Sequence, residues 1–277
     1  MTQLCLTQAS AGYNGNLVVR DIDLRVAAGE FVGIIGRNGC GKSTLLKVMA
    51  GALRPGCGEV RVDGTPLSEH PRSVLARRLA LLPQHPVAPP ETTVRELVAY
   101  GRVPHMRWYN RWSATDAEIA EQALRRCGLI SWSDRPVGKL SGGERQRAWV
   151  AMILAQQAPL LLLDEPLSFL DISHQLEVME LLQDINRRDG LSIVIVMHDI
   201  NLAGRYCSRL ITMRDGRIIH DGPSEAVLTE PHLADVFHVR ARVERDQVDG
   251  CLTCRFYAEQ PIRRDRPSIA ACQRTGM

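Results

Sequence analysis

The stretch Gly36-Arg37-Asn38-Gly39-Cys40-Gly41-Lys42-Ser43-Thr44 decides how the rest of this chain is interpreted. It follows an apolar run at 31–35, short enough for one buried strand, and precedes residues 45–50, which are typical of a helix. In such a turn, glycines let backbone N–H groups converge on a phosphate, and the helix N-terminus adds a positive dipole end. The Lys42 amine would reach the β- and γ-phosphates, and the Ser43 hydroxyl would hold Mg²⁺. The strand–helix context disfavours a chance match, so the stretch predicts binding of a nucleoside triphosphate, with ATP as the first choice.

The composition of the 277-residue chain favours a folded, soluble protein. Apolar residues make up 45%, enough for a substantial core, and the net charge of +3 is too small to make nucleic acid the main expected partner. The N-terminal residues lack the basic and apolar segments of a signal peptide, and no apolar run approaches the roughly 20 residues of a membrane span. We therefore expect a soluble protein that could dock on a membrane protein.

The eight cysteines are scattered along the chain, and one of them, Cys40, lies inside the phosphate loop. This distribution is typical of a reduced compartment rather than of a disulfide framework. Cys251 and Cys254 have the spacing of a metal or redox motif, but no second pair or histidine cluster accompanies them. Incidental thiols are the expected interpretation.

Strand candidates occur in both outer parts of the chain but not in the middle. Alternating and fully apolar runs predict strands at 4–9, 19–26, 59–64, 79–82, 160–164 and 192–197 and a hairpin at 209–222. Residues 93–100, 115–126 and 144–156 instead carry helical periodicity. We therefore expect an α/β core formed by residues 1–84 and 160–239, an all-helical insertion at 85–159, and a loosely packed tail at 240–277.

Polar and charged residues follow several predicted strands at the end where ligands bind in α/β sheets. Asp164 and Glu165 end the apolar strand at 160–163, and His198 follows the next one. A second candidate anion site is the helix N-terminus at Ser141-Gly142-Gly143, where small residues leave backbone N–H groups free. Taken alone, a plain serine N-cap is the better interpretation of this motif.

In the context of the whole chain, Leu140-Ser-Gly-Gly-Glu-Arg-Gln-Arg147 resembles the signature sequence of ATP-binding cassette (ABC) ATPases. The resemblance extends from about residue 4 to residue 239. The motifs come in the order of that family: an aromatic residue, the phosphate loop, a glutamine, the signature, Asp-Glu, Asp and His. The resemblance implies a P-loop NTPase fold, which is an α/β fold with a mixed-sheet core, an antiparallel β subdomain and an inserted all-helical subdomain.

The resemblance also implies roles in holding ATP and Mg²⁺. Tyr13 resembles the aromatic residue that stacks on adenine, and Asp164 matches the carboxylate that holds Mg²⁺ through water. Gln84 resembles the glutamine that contacts Mg²⁺ and the attacking water and that senses the transporter partner. The implied nucleotide-binding residues are Tyr13, Gly36, Asn38, Gly39, Cys40, Gly41, Lys42, Ser43, Thr44, Ser141, Gly142, Gly143 and Asp171, and the implied metal site consists of Ser43, Gln84 and Asp164.

The residues that the resemblance implies for hydrolysis are Glu165, His198, Gln84 and Lys42. Glu165 resembles the general base that polarises the attacking water, with a second metal-shell carboxylate as the alternative. His198 resembles the switch histidine that bonds the γ-phosphate. Asp171 resembles the aspartate of the loop that couples two sites. In this loop Phe169 replaces the commoner alanine, and we expect that departure to be tolerated.

The resemblance implies that one chain is not sufficient for hydrolysis. Ser141 and Gly143 would contact ATP held by the phosphate loop of a second copy, so two chains would close head-to-tail around two nucleotides. With one cassette and no membrane span, the chain resembles the stand-alone ATPase of a bacterial importer. We expect it at the cytoplasmic face of the inner membrane, bound to integral permease subunits and served indirectly by a substrate-binding protein.

Several stretches resemble the ATPases of iron–siderophore, haem and cobalamin importers, namely residues 96–105, 147–155, 170–175 and 198–203. A ferric siderophore is the first expected cargo, with haem or cobalamin as the alternative. A cytosolic nucleic-acid-associated ABC ATPase is a weaker rival, because it rests only on the short aromatic and basic patch at 102–112. A small-molecule kinase is disfavoured by the signature sequence, which such a kinase would lack.

Overall fold

The computed structural model describes residues 2–106 and 112–257. The strands in these ranges are β1 (Thr2–Tyr13), β2 (Asn16–Ala27), β3 (Phe31–Gly36), β4 (Cys57–Val62), β5 (Thr65–Pro66), β6 (Leu79–Leu82), β7 (Leu160–Asp164), β8 (Ser192–Val196), β9 (Arg209–Arg214), β10 (Arg217–Pro223), β11 (Arg240–Arg245) and β12 (Leu252–Tyr257). The helices are α1 (Lys42–Met49), α2 (Arg72–Leu75), α3 (Val94–Tyr100), α4 (Ala114–Arg126), α5 (Gly142–Ala155), α6 (Ile172–Asp189), α7 (Ile200–Tyr206), α8 (Ser224–Val227) and α9 (Glu230–Phe237). None of these helices combines the length and apolar character needed to cross a membrane.

A six-stranded mixed sheet sets the position of the site. Its order is β10-β9-β3-β8-β7-β6, and all neighbours are parallel except β9 and β10. Every residue of β3, β7 and β8 is buried, which explains their continuous apolar sequences, since strands covered on both faces need no polar alternation. Because parallel strands end at one edge, the residues that follow β3, β6, β7 and β8 meet there.

A second, antiparallel sheet has the order β2-β1-β4-β5. Along β2, Ile22, Leu24 and Val26 are buried and alternate with exposed residues, as expected for a sheet with one solvated face. The buried side chains join those of α1 and of the six-stranded sheet in a common core. The predicted combination of a mixed sheet and an antiparallel sheet is thereby confirmed. β1 is longer than predicted because it continues to a turn at Asn14-Gly15.

The described part of residues 85–159 contains helices and no strand, as predicted. Helices α3, α4 and α5 pack against one another. Each begins with a capping box, in which the side chain of Thr93, Ser113 or Ser141 accepts a backbone N–H three residues on and an acidic side chain bonds back. These caps fix where the three helices start.

Arg102, the first base of the aromatic and basic patch at 102–112, lies inside this helical region. It is 4% exposed, and its Nε donates to Asp116 Oδ1 at 2.9 Å. Its Nη1 donates to the Ala155 carbonyl at 2.8 Å and to the Gln157 side chain at 2.9 Å. A buried, paired arginine cannot contact nucleic acid, which weakens the stacking-platform interpretation. Trp112 is partly exposed, and Trp108 lies outside the described residues.

Residues 240–257 form a β-hairpin where the sequence predicts a loosely packed tail. Cys254 is buried in the main core, its N–H donates to Asn201 Oδ1 at 2.7 Å, and its carbonyl accepts from Asn201 Nδ2 at 3.3 Å. Ala241, Val243, Leu252 and Cys254 alternate with polar residues and pack on the main core. The prediction fails here because this alternation is short and most of the other side chains of the hairpin are exposed. Cys251 and Cys254 are both free thiols, and only Cys254 is buried.

Candidate active site

The phosphate loop connects the end of β3 to the start of α1. At Gly36, an added Cβ would lie 2.4 Å from the Met213 carbonyl oxygen, so no side chain can be accommodated. Gly41, which precedes α1, has a φ of +106°, in the left-handed region that favours glycine. No side chain caps α1, so its first N–H groups are free for an anion.

Lys42 lies along the phosphate loop rather than in solvent. It is 4% exposed, and its Nζ donates to the carbonyls of Gly36 at 2.8 Å and Arg37 at 3.1 Å. An ammonium group has three protons to donate, and a bound phosphate would compete with these two neutral acceptors. Because a charged acceptor makes the stronger hydrogen bond, the arrangement favours the phosphate.

Ser43 and Asp164 are 121 positions apart in the sequence, and the structure brings them together. The Ser43 hydroxyl donates to Asp164 Oδ1 at 2.8 Å. Burial at the end of β7 raises the pKa of Asp164, and the Ser43 hydrogen bond opposes that change. Hydroxyl and carboxylate oxygens are ligands that Mg²⁺ takes, so this pair could hold the ion beside the phosphate loop.

Glu165 follows β7 and is held by two side chains from other segments and by one from the turn that follows it. Its Oε1 lies 2.6 Å from His198 Nε2, and its Oε2 accepts from Gln84 Nε2 at 2.6 Å. The Ser168 hydroxyl donates to the same Oε2 at 3.3 Å. The structure therefore unites three of the residues predicted for hydrolysis. Sequence reasoning missed the Ser168 bond because this bond depends on the turn that begins at Glu165. The φ of Glu165 is +49°.

These groups open into one cleft of about 350 Å³. It is lined by Val18, Asn38, Gly39, Gly41, Lys42, Ser43, Thr44, Gln84, Glu165 and His198. Tyr13 does not line the cleft but lies at the end of β1 with 44% of its surface exposed. The hydrolytic candidates and most of the phosphate loop thus share one space. Gly36, Cys40 and Asp164 do not line it, although Asp164 bonds Ser43, which does, and the proposed adenine platform lies outside it.

The signature residues are separate from this cleft. Ser141 caps α5, where its Oγ accepts from Glu144 N at 3.3 Å and its N–H donates to Glu144 Oε2 at 2.8 Å, which lowers the pKa of Glu144. Ser141 and Gly142 are exposed, whereas Gly143 is buried. None of the three lines the cleft of the phosphate loop. Within one chain, the two candidate anion sites therefore do not meet.

Asp171 links the end of the 168–171 loop to α6. Its Oδ1 accepts from His174 N at 3.0 Å, from Ser173 Oγ at 2.9 Å and from His174 Nδ1 at 2.7 Å. These bonds, led by that from the His174 backbone, lower the pKa of Asp171. Phe169 in the same loop is 92% exposed and has a φ of +67°. The loop thus presents an aromatic side chain to solvent next to a firmly capped helix.

Comparisons with known proteins agree with this geometry. The sequence model of the ABC transporter family matches residues 19–168. The chain is 41% identical over 254 residues, 92% of each chain, to the probable siderophore transport system ATP-binding protein YusV of Bacillus subtilis. It is 40% identical over 263 residues, 95% of each chain, to the ferric enterobactin transport ATP-binding protein FepC of Escherichia coli.

A solved structure shares the fold at a TM-score of 0.70 with 28% identity, over 80% of this chain and 98% of the other. It is the dimeric post-hydrolysis state of the ATP-binding cassette MJ0796 bound to ADP and Pi. The fold, the cleft and the family match agree on one class of protein. This chain belongs to the ABC transporter family and is an ABC ATPase, which binds ATP and couples its hydrolysis to transport.

Proposed function

We propose that this chain is the ATP-hydrolysing subunit of an importer for an iron–siderophore complex. The observation that carries the proposal is the position of Glu165 between His198 and Gln84, in the cleft that also contains the phosphate loop. A carboxylate held by an imidazole and an amide beside a phosphate site is suited to orient water for attack on a phosphoryl group.

Nucleotide binding needs one chain in this proposal. Lys42 exchanges its two carbonyl partners for oxygens of the β- and γ-phosphates. Ser43, Asp164 and Gln84 would hold Mg²⁺, and the ion would neutralise charge on the phosphates. The exposed ring of Tyr13 stacks on the adenine.

Hydrolysis then requires Glu165 to be released from its neighbours. His198 moves its hydrogen bond from Glu165 to the γ-phosphate, and Gln84 turns toward the nucleotide and the attacking water. Oε1 of Glu165 becomes free and accepts the proton of the water, while Oε2 keeps its hydrogen bond from Ser168. The phosphoryl group is transferred in line, with its equatorial oxygens stabilised by Lys42.

The second half of each site comes from another copy of the chain. Ser141 and Gly142 are exposed at the N-terminus of a 14-residue helix and lie outside the cleft of their own chain. The dimeric structure of the related cassette supports head-to-tail closure of two chains around two nucleotides. We infer that residues 85–159 move as one unit against the core of residues 1–84 and 160–239 during this closure.

The transport partners follow from the importer assignment. Permease subunits in the membrane would receive the movement of the helical region through Gln84, and a substrate-binding protein would deliver the cargo to them. The chain would then lie at the cytoplasmic face of the cell membrane. An iron–siderophore cargo is supported by the names of the two relatives, which specify siderophore and ferric enterobactin transport. Haem and cobalamin are the alternative cargoes.

Uptake by cells tests the cargo and the role of Glu165 together. Cells carrying the intact chain or the Glu165→Gln variant are given radiolabelled ferric siderophores, haem and cobalamin. Glu118→Gln is the matched control, because it makes the same chemical change on an exposed residue of α4. We expect Glu165→Gln to abolish uptake of one ferric siderophore and Glu118→Gln to leave it intact. Loss of haem or cobalamin uptake alone would correct the cargo, and no loss of uptake would contradict the importer function.

A further inference from the structure

The N-terminal parts of α5 and α6 touch through a series of close contacts. A Cβ added to Gly142 would lie 3.5 Å from Leu170 Cδ2. A Cβ added to Gly143 would lie 2.1 Å from Cδ2 and 2.4 Å from Cγ of the His174 ring. One turn farther along both helices, Arg147 Nη1 pairs with Glu177 Oε2 at 2.7 Å. The signature helix and α6 are therefore in contact over their first two turns.

The His174 ring is fixed on its other side by Asp171. Its Nδ1 lies 2.7 Å from Asp171 Oδ1, and the His174 backbone N–H donates to the same oxygen at 3.0 Å. A carboxylate only accepts, so Nδ1 carries the proton and Cδ2 is the ring atom that faces Gly143. One imidazole thus connects the end of the 168–171 loop to the signature.

We propose that His174 is a positioning residue that makes the signature helix and the 168–171 loop move as one body. The inference rests on the proposed function, because the signature acts on a nucleotide held by the partner chain. A glycine is then needed at position 143 for a reason within its own chain. A methyl group there would collide with the His174 ring, which the Asp171 bond holds in place. Without the ring, α5 would lose this contact and the signature would close less accurately on the partner's ATP.

A double-mutant cycle tests the contact directly. His174→Ala removes the ring, including the Cγ and Cδ2 atoms next to Gly143, while Asp171 Oδ1 still accepts from the backbone N–H of residue 174 and from Ser173 Oγ. Gly143→Ala adds the colliding methyl group. The double variant has space for the methyl group. Residues in contact give non-additive effects in such a cycle, whereas independent residues do not.

We expect His174→Ala to lower kcat for ATP several-fold with little change in nucleotide binding by the single chain, since His174 does not line the phosphate-loop cleft. Gly143→Ala should lower kcat at least about tenfold, the usual scale of an overpacked contact. In the double variant, kcat should return to the level of His174→Ala alone. His238→Ala is the matched control, because it makes the same change on an exposed histidine at the end of α9.

Melting temperature and nucleotide binding by each variant separate a folding defect from a closure defect. A kcat of His174→Ala equal to that of the intact chain would overturn the proposal. A double variant no more active than Gly143→Ala would also overturn it, because the methyl group would then act only on the nucleotide. Failure of the proposed function looks different, since Glu165→Gln would then hydrolyse ATP normally whatever the outcome at His174.

Discussion

The phosphate-loop edge of the sheet and the signature helix differ in how far one chain completes them. At the sheet edge, functional side chains from different segments bond to one another, as in the pairs Ser43–Asp164 and Glu165–His198. At the signature, the hydrogen bonds of Ser141 go to Glu144 and Arg145, both within the first turns of its own helix. The first region is a site already assembled, and the second is a capped helix end whose partner lies elsewhere.

This difference indicates which functions depend on a second chain. A region that is assembled within one chain can bind nucleotide as a monomer. A helix end that lies outside the cleft contributes only when another molecule approaches it. Binding should therefore be a property of the single chain, and turnover a property of the pair.

Lys42→Ala should give the largest effect, because turnover depends on the nucleotide binding that this substitution removes at the phosphate loop. The variant loses the ammonium group that faces the phosphates, and we expect turnover to fall on the order of a thousandfold, with nucleotide binding lost. Phosphate release and titration with a fluorescent ATP analogue measure the two properties. Lys47→Ala, an exposed lysine on the same helix, should keep both. Tight binding by Lys42→Ala would contradict the assignment of the phosphate loop.

Mixing two inactive variants should restore turnover if the regions belong to different chains of one site. Lys42→Ala chains have an intact signature, and Ser141→Arg chains have an intact phosphate loop. A mixed dimer then contains one site in which both halves are intact. We expect each variant alone to be inactive and the mixture to release phosphate. Mixed dimers that form but show no recovery would mean that each chain completes its own site.

The two regions were also unequally predictable from the sequence. The phosphate loop and the cap at Ser141 depend on residues close together in the chain, so spacing and residue type were sufficient to predict them. The approach of Gln84 to Glu165 across 81 positions depends on strand order. The family resemblance implied that both residues act in hydrolysis, but not that their side chains bond to each other. The contact of His174 with Gly143 leaves no local pattern, because it depends on how α5 and α6 cross. The roles of these residues in ATP hydrolysis stay predictions.

Arg102→Ala should lower the stability of the helical region without weakening nucleotide binding at the phosphate loop. Truncation leaves Asp116, 9% exposed, without its buried ionic partner, and loss of a buried partner costs about 3 kcal/mol. The unfolding free energy in urea should fall by about that amount, while the phosphate-loop cleft, which contains no residue of the helical insertion, still binds nucleotide under native conditions. Arg125→Ala breaks an exposed pair with Glu121 and should cost less than about 1 kcal/mol. Equal losses for both variants would show that the buried pair contributes no more to stability than the exposed pair does.

The smallest expected effects are at Phe169, in the loop between the two regions. Its ring is 92% exposed, so Phe169→Ala should change the unfolding free energy of the single chain by less than about 0.5 kcal/mol. Phe169→Gly should instead stabilise the chain by about 1 kcal/mol, because only glycine adopts a φ of +67° without strain. Urea unfolding of both variants measures the difference. A large loss in Phe169→Ala would mean that the ring packs within its own chain. An unchanged stability combined with weaker ATP-dependent dimerisation would instead assign the ring, like the signature, to the surface that a second chain completes.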